Sequence, residues 1–489
     1  MTALSKAHLV LNSRHPRRNL SGSRSLSFFI VVAVLLGCTG ADDSPTAPSI
    51  ASSAGPSFTI APALPSGRPK TLDEVFAEIA THVPGYAGTY YAKDGTPITN
   101  LVDLSQSAAA EQAIAPFIRG GKNGTGVLKS QFRKVSHDFA KLNEWKGYAT
   151  RNLLLRPNVI FVDIDEENNQ LNIGVRSQAE TGPVKRFLND NHIPGGVALV
   201  IPVDTSPGYQ VNPSVPETLR NTQSLYGGVQ ILPGAVKQCT LSFNAMLSSD
   251  TRIYSYDHFF VTNAHCMNSV GYPQNTPIYQ NNDQNGSTRI IGYEFRQPLW
   301  EGSERYTNCP AGSRCSMAEV ALVKYTVPWG GSRIARTTYV GAGRDTGSVT
   351  LDPYALPWQV VDSVNDHTLF QGSTIMKVGR TAGWTQGTTT QTCADYRLWL
   401  GGYPTQFVIL CQWSGNFTSR GGDSGSPVFK YKFGYYPQVQ LVGTVWAGDY
   451  GVSTFSFFPY ISWELTFRDT QYACGTVFDC TPKLAVSGQ

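Results

Sequence analysis

Charge is what this sequence has least of. Asp, Glu, Lys and Arg make up 15% of its 489 residues, against ~25% in an ordinary soluble domain. Their balance is only +4, scattered rather than gathered into a basic face, which excludes nucleic acid as a partner. No block of like charge exists to act as an interaction tail. No apolar run reaches the ~20 residues that span a bilayer. Cysteine is missing between Cys38 and Cys239, and no CxxC pair occurs anywhere. That argues against a zinc site with close-set ligands, and neither a metal nor a cofactor is expected. No internal repeat of 20–50 residues is visible. The chain does have 47 glycines, 23 tyrosines and a hydrophobic fraction of 41%. This is enough apolar matter for a sizeable core, so wholesale disorder is excluded, and the mixture suits short strands and tight turns. At ~150 residues per domain the length predicts roughly two to four domains.

The N-terminus speaks of export. Arg14, Arg17, Arg18 and Arg24 precede the apolar run Leu26–Leu36, which at roughly eleven residues is too short to cross a membrane and has the layout of a secretory signal. The run ends Leu35-Leu36-Gly37-Cys38, which resembles the lipobox of bacterial lipoproteins. The resemblance implies a signal peptide over residues 1–37 and lipidation of Cys38, making a lipid anchor the chain's contact with a membrane. Residues 38–69, rich in Ser, Ala, Pro and Thr, read as a flexible tether. Cys239, Cys266, Cys309, Cys315, Cys393, Cys411, Cys474 and Cys480 remain as four sequence-adjacent pairs. An even number in an exported chain predicts disulfides, taken here between neighbours.

Residues 70–222 read as a mixed α+β region. Thr71-Leu72-Asp73-Glu74 has the form of a capping box, and Leu72, Val75, Phe76 and Ile79 then share one helical face. A second helix is predicted over Ser107–Ile118. A third is predicted over Gln131–Lys146 from the stripe Phe132, Val135, Phe139 and Leu142. Residues 159–175 predict two strands around a polar turn. Pro183 opens a further helix carrying Val184, Phe187 and Leu188, and Val197–Val203 is a strand. His82, His137 and His192 are scattered here, and no nucleophile, base and acid gather around them.

Pro, Gly, Ser and Asn crowd residues 204–228, a boundary signal. Beyond it short apolar runs alternate with turn residues, predicting an all-β barrel or sandwich over residues 225–489. Two strings there carry chemistry: Thr262-Asn263-Ala264-His265-Cys266 and Gly421-Gly422-Asp423-Ser424-Gly425-Ser426-Pro427. A serine hydroxyl is a poor nucleophile until an imidazole takes its proton. The imidazole in turn needs a carboxylate to fix its tautomer. The oxyanion that forms needs preorganised N–H donors, each worth roughly 3–4 kcal/mol. Glycines beside Ser424 allow the N–H groups of Gly422 and Ser424 to be those donors.

These strings resemble those of the chymotrypsin-like serine proteases, in the family's chain order of base, acid, nucleophile, over about residues 226–465. The segment VGRTAGWTQGT (378–388) is similar to that of the bacterial secreted streptogrisin and α-lytic branch, whose members carry an N-terminal pro-region. The resemblance implies a chymotrypsin-like double β-barrel preceded by a smaller α+β pro-domain in residues 70–222. It implies His265 as base, Ser424 as nucleophile, and the Cys239–Cys266 bond as the staple of the histidine loop. Protein or peptide substrates and the chain's own pro-region are the implied partners. Glu319, in Met317-Ala318-Glu319-Val320-Ala321-Leu322, stands where the family has Asp; it keeps the charge and adds a methylene, so its carboxylate must be set back or the loop must shift. Asp283, Asp345 and Asp362 are the alternative acids. Thr418 occupies the position of the trypsins' specificity Asp, which disfavours basic side chains in the primary pocket. Val445, Trp446, Ala447 and Gly448 match the substrate-pairing strand, with Trp446 in place of a small residue. No Ile-Val-Gly-Gly start is present, and the partner of Asp423 is left open. The reading is an exported serine endopeptidase made as a proenzyme and held at, or released from, the cell envelope. The competing reading is a catalytically impaired, protease-like surface binding module.

Overall fold

The computed structural model describes residues 64, 67–118, 129–203, 218–247, 257–281, 287–338, 347–364, 368–398, 406–432, 435–449, 451–466 and 484–485. The expected signal peptide, Cys38, nearly all of the expected tether, Cys474 and Cys480 lie outside them.

The first helix, Leu72–His82, begins where its capping chemistry dictates. Thr71 Oγ1 accepts from the Glu74 N–H (3.1 Å), and the Glu74 carboxylate accepts from the Thr71 N–H (2.8 Å), satisfying two donors that a helix start leaves unpaired. Leu72, Val75, Phe76 and Ile79 are buried along one face. The second helix, Ser107–Ile114, stops short of the predicted end. The third differs more. Gln131–Lys134 is a strand lying parallel to Pro97–Leu101, and the helix runs Phe139–Leu153 instead. Its start is set by Asp138, whose carboxylate accepts from the Lys141 N–H at 2.8 Å; that cap outweighs the apolar spacing, which had merged a strand and a helix into one stripe. The hairpin Val159–Asp165 and Gln170–Val175, the helix Thr181–Asp190 and the strand Ala198–Pro202 follow the sequence pattern.

Beyond residue 218 the chain is mostly β. One eight-stranded sheet includes Gln230–Pro233, Pro277–Asn281, Thr288–Arg296, Ala321–Tyr325 and Asp257–Thr262. The segment 239–247 pairs at its start with Gln230–Pro233 and at its end with Asp257–Thr262, so the sheet curls. In the second, twelve-stranded sheet the strands Phe407–Gly415, Val452–Phe457, Gln438–Asp449, Pro427–Tyr431, Thr374–Gly379 and Gly383–Leu398 pair in succession. The last pairs back to the first, closing a ring.

The N-terminal segment does not stand apart from this ring. Asp395 and Tyr396, late in Gly383–Leu398, pair antiparallel with Val162 and Phe161. The sheet thus continues outward through Val159–Asp165, Gln170–Val175 and Ala198–Pro202. One hydrophobic core accordingly runs from Phe76 and Phe139 under the helices to Trp413, Phe455 and Phe457 in the ring. A second joins the two sheets through Phe243, Phe259, Trp358, Phe429 and Ile461. No helix among the described residues is long and apolar enough to cross a membrane.

Phe76 touches Tyr86, Phe139 and Phe370 edge-on or tilted, with ring centres 5.1–5.7 Å apart. Phe76→Ala is expected to cost about 3–5 kcal/mol in chemical denaturation. Leu104→Ala, at a side chain already 44% exposed, should cost under about 0.5 kcal/mol.

Candidate active site

The nucleophile candidate sits in a turn that only glycines can form. The Asp423 N–H donates to the Arg420 carbonyl at 2.8 Å, closing a type II turn whose third residue, Gly422, has φ +95°. Gly425, just after Ser424, has φ +92°, and a Cβ there would lie 2.1 Å from the Thr240 carbonyl oxygen. The Gly421 carbonyl accepts from Thr381 Oγ1 and the Gly422 carbonyl from Thr240 Oγ1, each at 2.8 Å. A trans peptide sets C=O and N–H on opposite sides. Pinning the Gly421 carbonyl toward Thr381 therefore turns the Gly422 N–H the other way.

The imidazole comes from the eight-stranded sheet. The strand Asp257–Thr262 leads into the short 3₁₀ turn Ala264–Cys266. Cys266 is bonded to Cys239, and Lys237 donates from its ammonium to the carbonyls of His265 (2.9 Å) and Met267. Across the gap between sheets, His265 Nε2 lies 2.8 Å from Ser424 Oγ. On the ring's other side, Nδ1 lies 3.1 Å from Glu319 Oε2, while Glu319 Oε1 accepts from the His265 backbone N–H at 2.7 Å. The backbone of Glu319 is fixed on both sides: its N–H donates to Ser456 Oγ (3.0 Å), and its carbonyl accepts from Asn263 Nδ2 (2.6 Å). The Glu319 side chain is fully buried, whereas that of His265 is 28% exposed. The imidazole is therefore open to solvent and the carboxylate is shielded from it. Of the alternative acids, Asp362 is exposed and bonds to Ser363 and Gln440; Asp283 and Asp345 lie outside the described residues.

The other site candidates have distinct surroundings. Thr418 Oγ1 accepts from the Gly451 N–H (3.1 Å). Val445 exchanges backbone hydrogen bonds with Gly425 and Ser426, tying the strand to the nucleophile's turn. The register of Gln438–Asp449 against Val452–Phe457 slips between Val445 and Ala447. At that bulge Trp446 is buried, with its Nε1 donating to Gln412 Oε1 (2.9 Å) and its ring edge-on to Tyr396. Ala447 and Gly448 pair with Thr454 and Ser453, and a Cβ on Gly448 would lie 2.8 Å from that of Ser419. Neighbouring cysteines are joined in Cys239–Cys266, Cys309–Cys315 and Cys393–Cys411. No group of three or more metal-ligating side chains occurs among the described residues.

Sequence reasoning missed Lys377. Its ammonium lies 2.7 Å from Asp423 Oδ2, with both side chains wholly buried, and burial holds its pKa below the usual lysine value. Asp423 also accepts from the N–H groups of Arg420 (3.1 Å) and Thr381 (2.7 Å). The residue before Ser424 is thereby fixed from within the chain. The signal was present in Thr374-Ile375-Met376-Lys377-Val378-Gly379, where a lysine stands inside an otherwise apolar strand.

No protein-family model matches the chain, and no curated protein matches it. Several solved structures are similar to it over about half its length. A glutamic-acid-specific serine protease has TM-score 0.29 and 18% identity, over 47% of this chain and 92% of that one. The Nocardiopsis protease NAPase has TM-score 0.30 and 18% identity, over 48% and 92%. The chymotrypsin of Cellulomonas bogoriensis has TM-score 0.30 and 14% identity, over 54% and 100%. These likenesses are distant.

Lys377→Met strands Asp423 in the interior and is expected to cost about 3–5 kcal/mol. The folded fraction should react with a fluorophosphonate probe more slowly than wild type; an equal rate per folded molecule would show that Asp423 does not govern Ser424.

Proposed function

We propose that the chain is an exported serine endopeptidase made as a proenzyme. The observation that carries this reading is the unbroken line Glu319–His265–Ser424. In it Ser424 Oγ attacks the carbonyl carbon of a peptide bond while His265 Nε2 takes the hydroxyl proton. Glu319, bonded at Nδ1, fixes the tautomer and stabilises the imidazolium. The N–H groups of Gly422 and Ser424 are the oxyanion donors. Collapse of the tetrahedral species breaks the C–N bond, and His265 passes its proton to the leaving amine. A water, deprotonated by His265, then releases the acid from the acyl-enzyme and restores the Ser424 hydroxyl. The base acts only as the neutral imidazole, so activity should decline toward acid.

In this reading the C-terminal half is a two-barrel peptidase, residues 70–222 are its pro-region, and the leader sends it out of the cell with Cys38 as lipid attachment. Three disulfides suit an oxidising compartment. Thr418 in place of an acid suits a primary pocket that does not select Lys or Arg. The folded chain should be labelled at Ser424 by a fluorophosphonate, and Ser424→Ala should remove the label. Glu319→Gln should slow peptide hydrolysis about 10⁴-fold with folding retained. A folded, processed chain that takes no label at any pH from 6 to 9 would instead be the binding module.

A further inference from the structure

Away from the active site, four carboxyl groups and one ammonium are buried together where the N-terminal helices meet the strand Gly383–Leu398. Lys146 Nζ lies 2.6 Å from Asp73 Oδ2 and 4.0 Å from Asp395 Oδ2, and donates to the Cys393 carbonyl. Asp395 accepts from Thr150 Oγ1 (2.7 Å) and the Cys411 N–H (2.9 Å). Glu166 accepts from Thr392 Oγ1 at 2.9 Å. Asp163, on the strand that pairs with Gly383–Leu398, completes the group. Asp73, Lys146, Asp163, Glu166 and Asp395 are each 3% exposed or less.

The charges do not balance. Fully ionised, the group would hold four negative charges against the single ammonium. Neither oxygen of Asp163, nor Oε2 of Glu166, nor Oδ1 of Asp73 has a hydrogen-bond partner among the described residues. The charged and titratable neighbours do not supply the deficit. Asp163 faces Glu166, Lys146, Asp73 and Asp165, with Tyr396 beside it; Glu166 faces Asp73 and Asp165, with Tyr86 beside it; Asp73 faces Lys146, Asp395 and Glu74. A buried carboxylate without a donor or counter-charge is among the costliest arrangements in a protein, and taking up a proton relieves it.

Three of the four acids belong to the N-terminal segment, while Thr392, Cys393 and Asp395 belong to the sheet it docks on. We propose that this joint is a proton-operated latch: it closes with protons held on Asp163 and Glu166, and it loosens as the surroundings turn alkaline. Burial pushes both carboxyls well above the ordinary range and lifts Asp73 to about 6. Because the raised values belong to the closed state, the stabilisation is full in acid and is lost as pH rises through them. Each proton given up on opening makes opening about tenfold easier per pH unit, and two make it about a hundredfold easier. This inference does not depend on the peptidase reading.

The full-length Ser424→Ala chain tests it by hydrogen exchange of the amides in Val159–Asp165 between pH 5.5 and 8.5, corrected for the intrinsic pH dependence of exchange. The opening constant should rise by tenfold or more per unit. Asp163→Asn and Glu166→Gln should each flatten that slope by about tenfold per unit. A double variant with the slope of the parent overturns the proposal. Should the variants not fold, the infrared carbonyl band of protonated carboxyl groups in the parent chain decides. Its persistence at pH 7 supports the latch, and its disappearance below pH 6 overturns it.

Discussion

The 2.8 Å contact between His265 Nε2 and Ser424 Oγ joins two loops, one from each sheet, that lie 159 residues apart. Everything near it serves to keep two loops from different sheets in register. On the imidazole side the work is done by the Cys239–Cys266 bond, the Lys237 ammonium on two carbonyls, and the backbone grip of Glu319. On the hydroxyl side it is done by the glycine turn, by two threonine hydroxyls and by the buried Lys377–Asp423 pair. The Thr240 N–H also donates to the Ser424 carbonyl at 2.8 Å. The chain next to Cys239 thus touches the nucleophile's turn directly, and the two loops share a support.

The carboxylate of Glu319 is held by a similar set of contacts. An extra methylene would push a carboxylate into the imidazole if the backbone stayed put. Here the backbone of Glu319 is held between Ser456 and Asn263. Both carboxylate oxygens then meet His265, one at the ring and one at the main chain. The main-chain contact fixes the carboxylate, the ring contact then orients the imidazole, and the buried setting makes each of them stronger.

How much of this could be read from the residues depended on how local each signal was. The cap at Thr71 and the hairpin around residues 166–169 are written in a few adjacent positions and were legible. The strand at 131–134 was not, because its pairing with Pro97–Leu101 is decided across more than thirty residues, while Phe132 and Phe139 fall at helical spacing by chance. The site strings marked His265 and Ser424, since a half-cystine and glycine turns leave local marks, whereas Glu319 was suggested only by the resemblance. Lys377 could be seen only as an oddity in an apolar strand, because its partner is 46 positions away. The docking of Val162 on Asp395 had no signature at all: strands that continue a sheet look the same whether they join their own half or another.

That last pairing has a consequence for any form of the molecule that sheds residues before 204. Val159–Asp165 covers the margin of Gly383–Leu398 at Asp395 and Tyr396. Without it, those backbone amides and carbonyls would face water beside Phe161's former seat on the Tyr396 ring. A bare margin flanked by an uncovered aromatic is a template for strand addition by a neighbour. A trimmed molecule would therefore gain a cohesive flank, and its solubility would change at the moment of trimming.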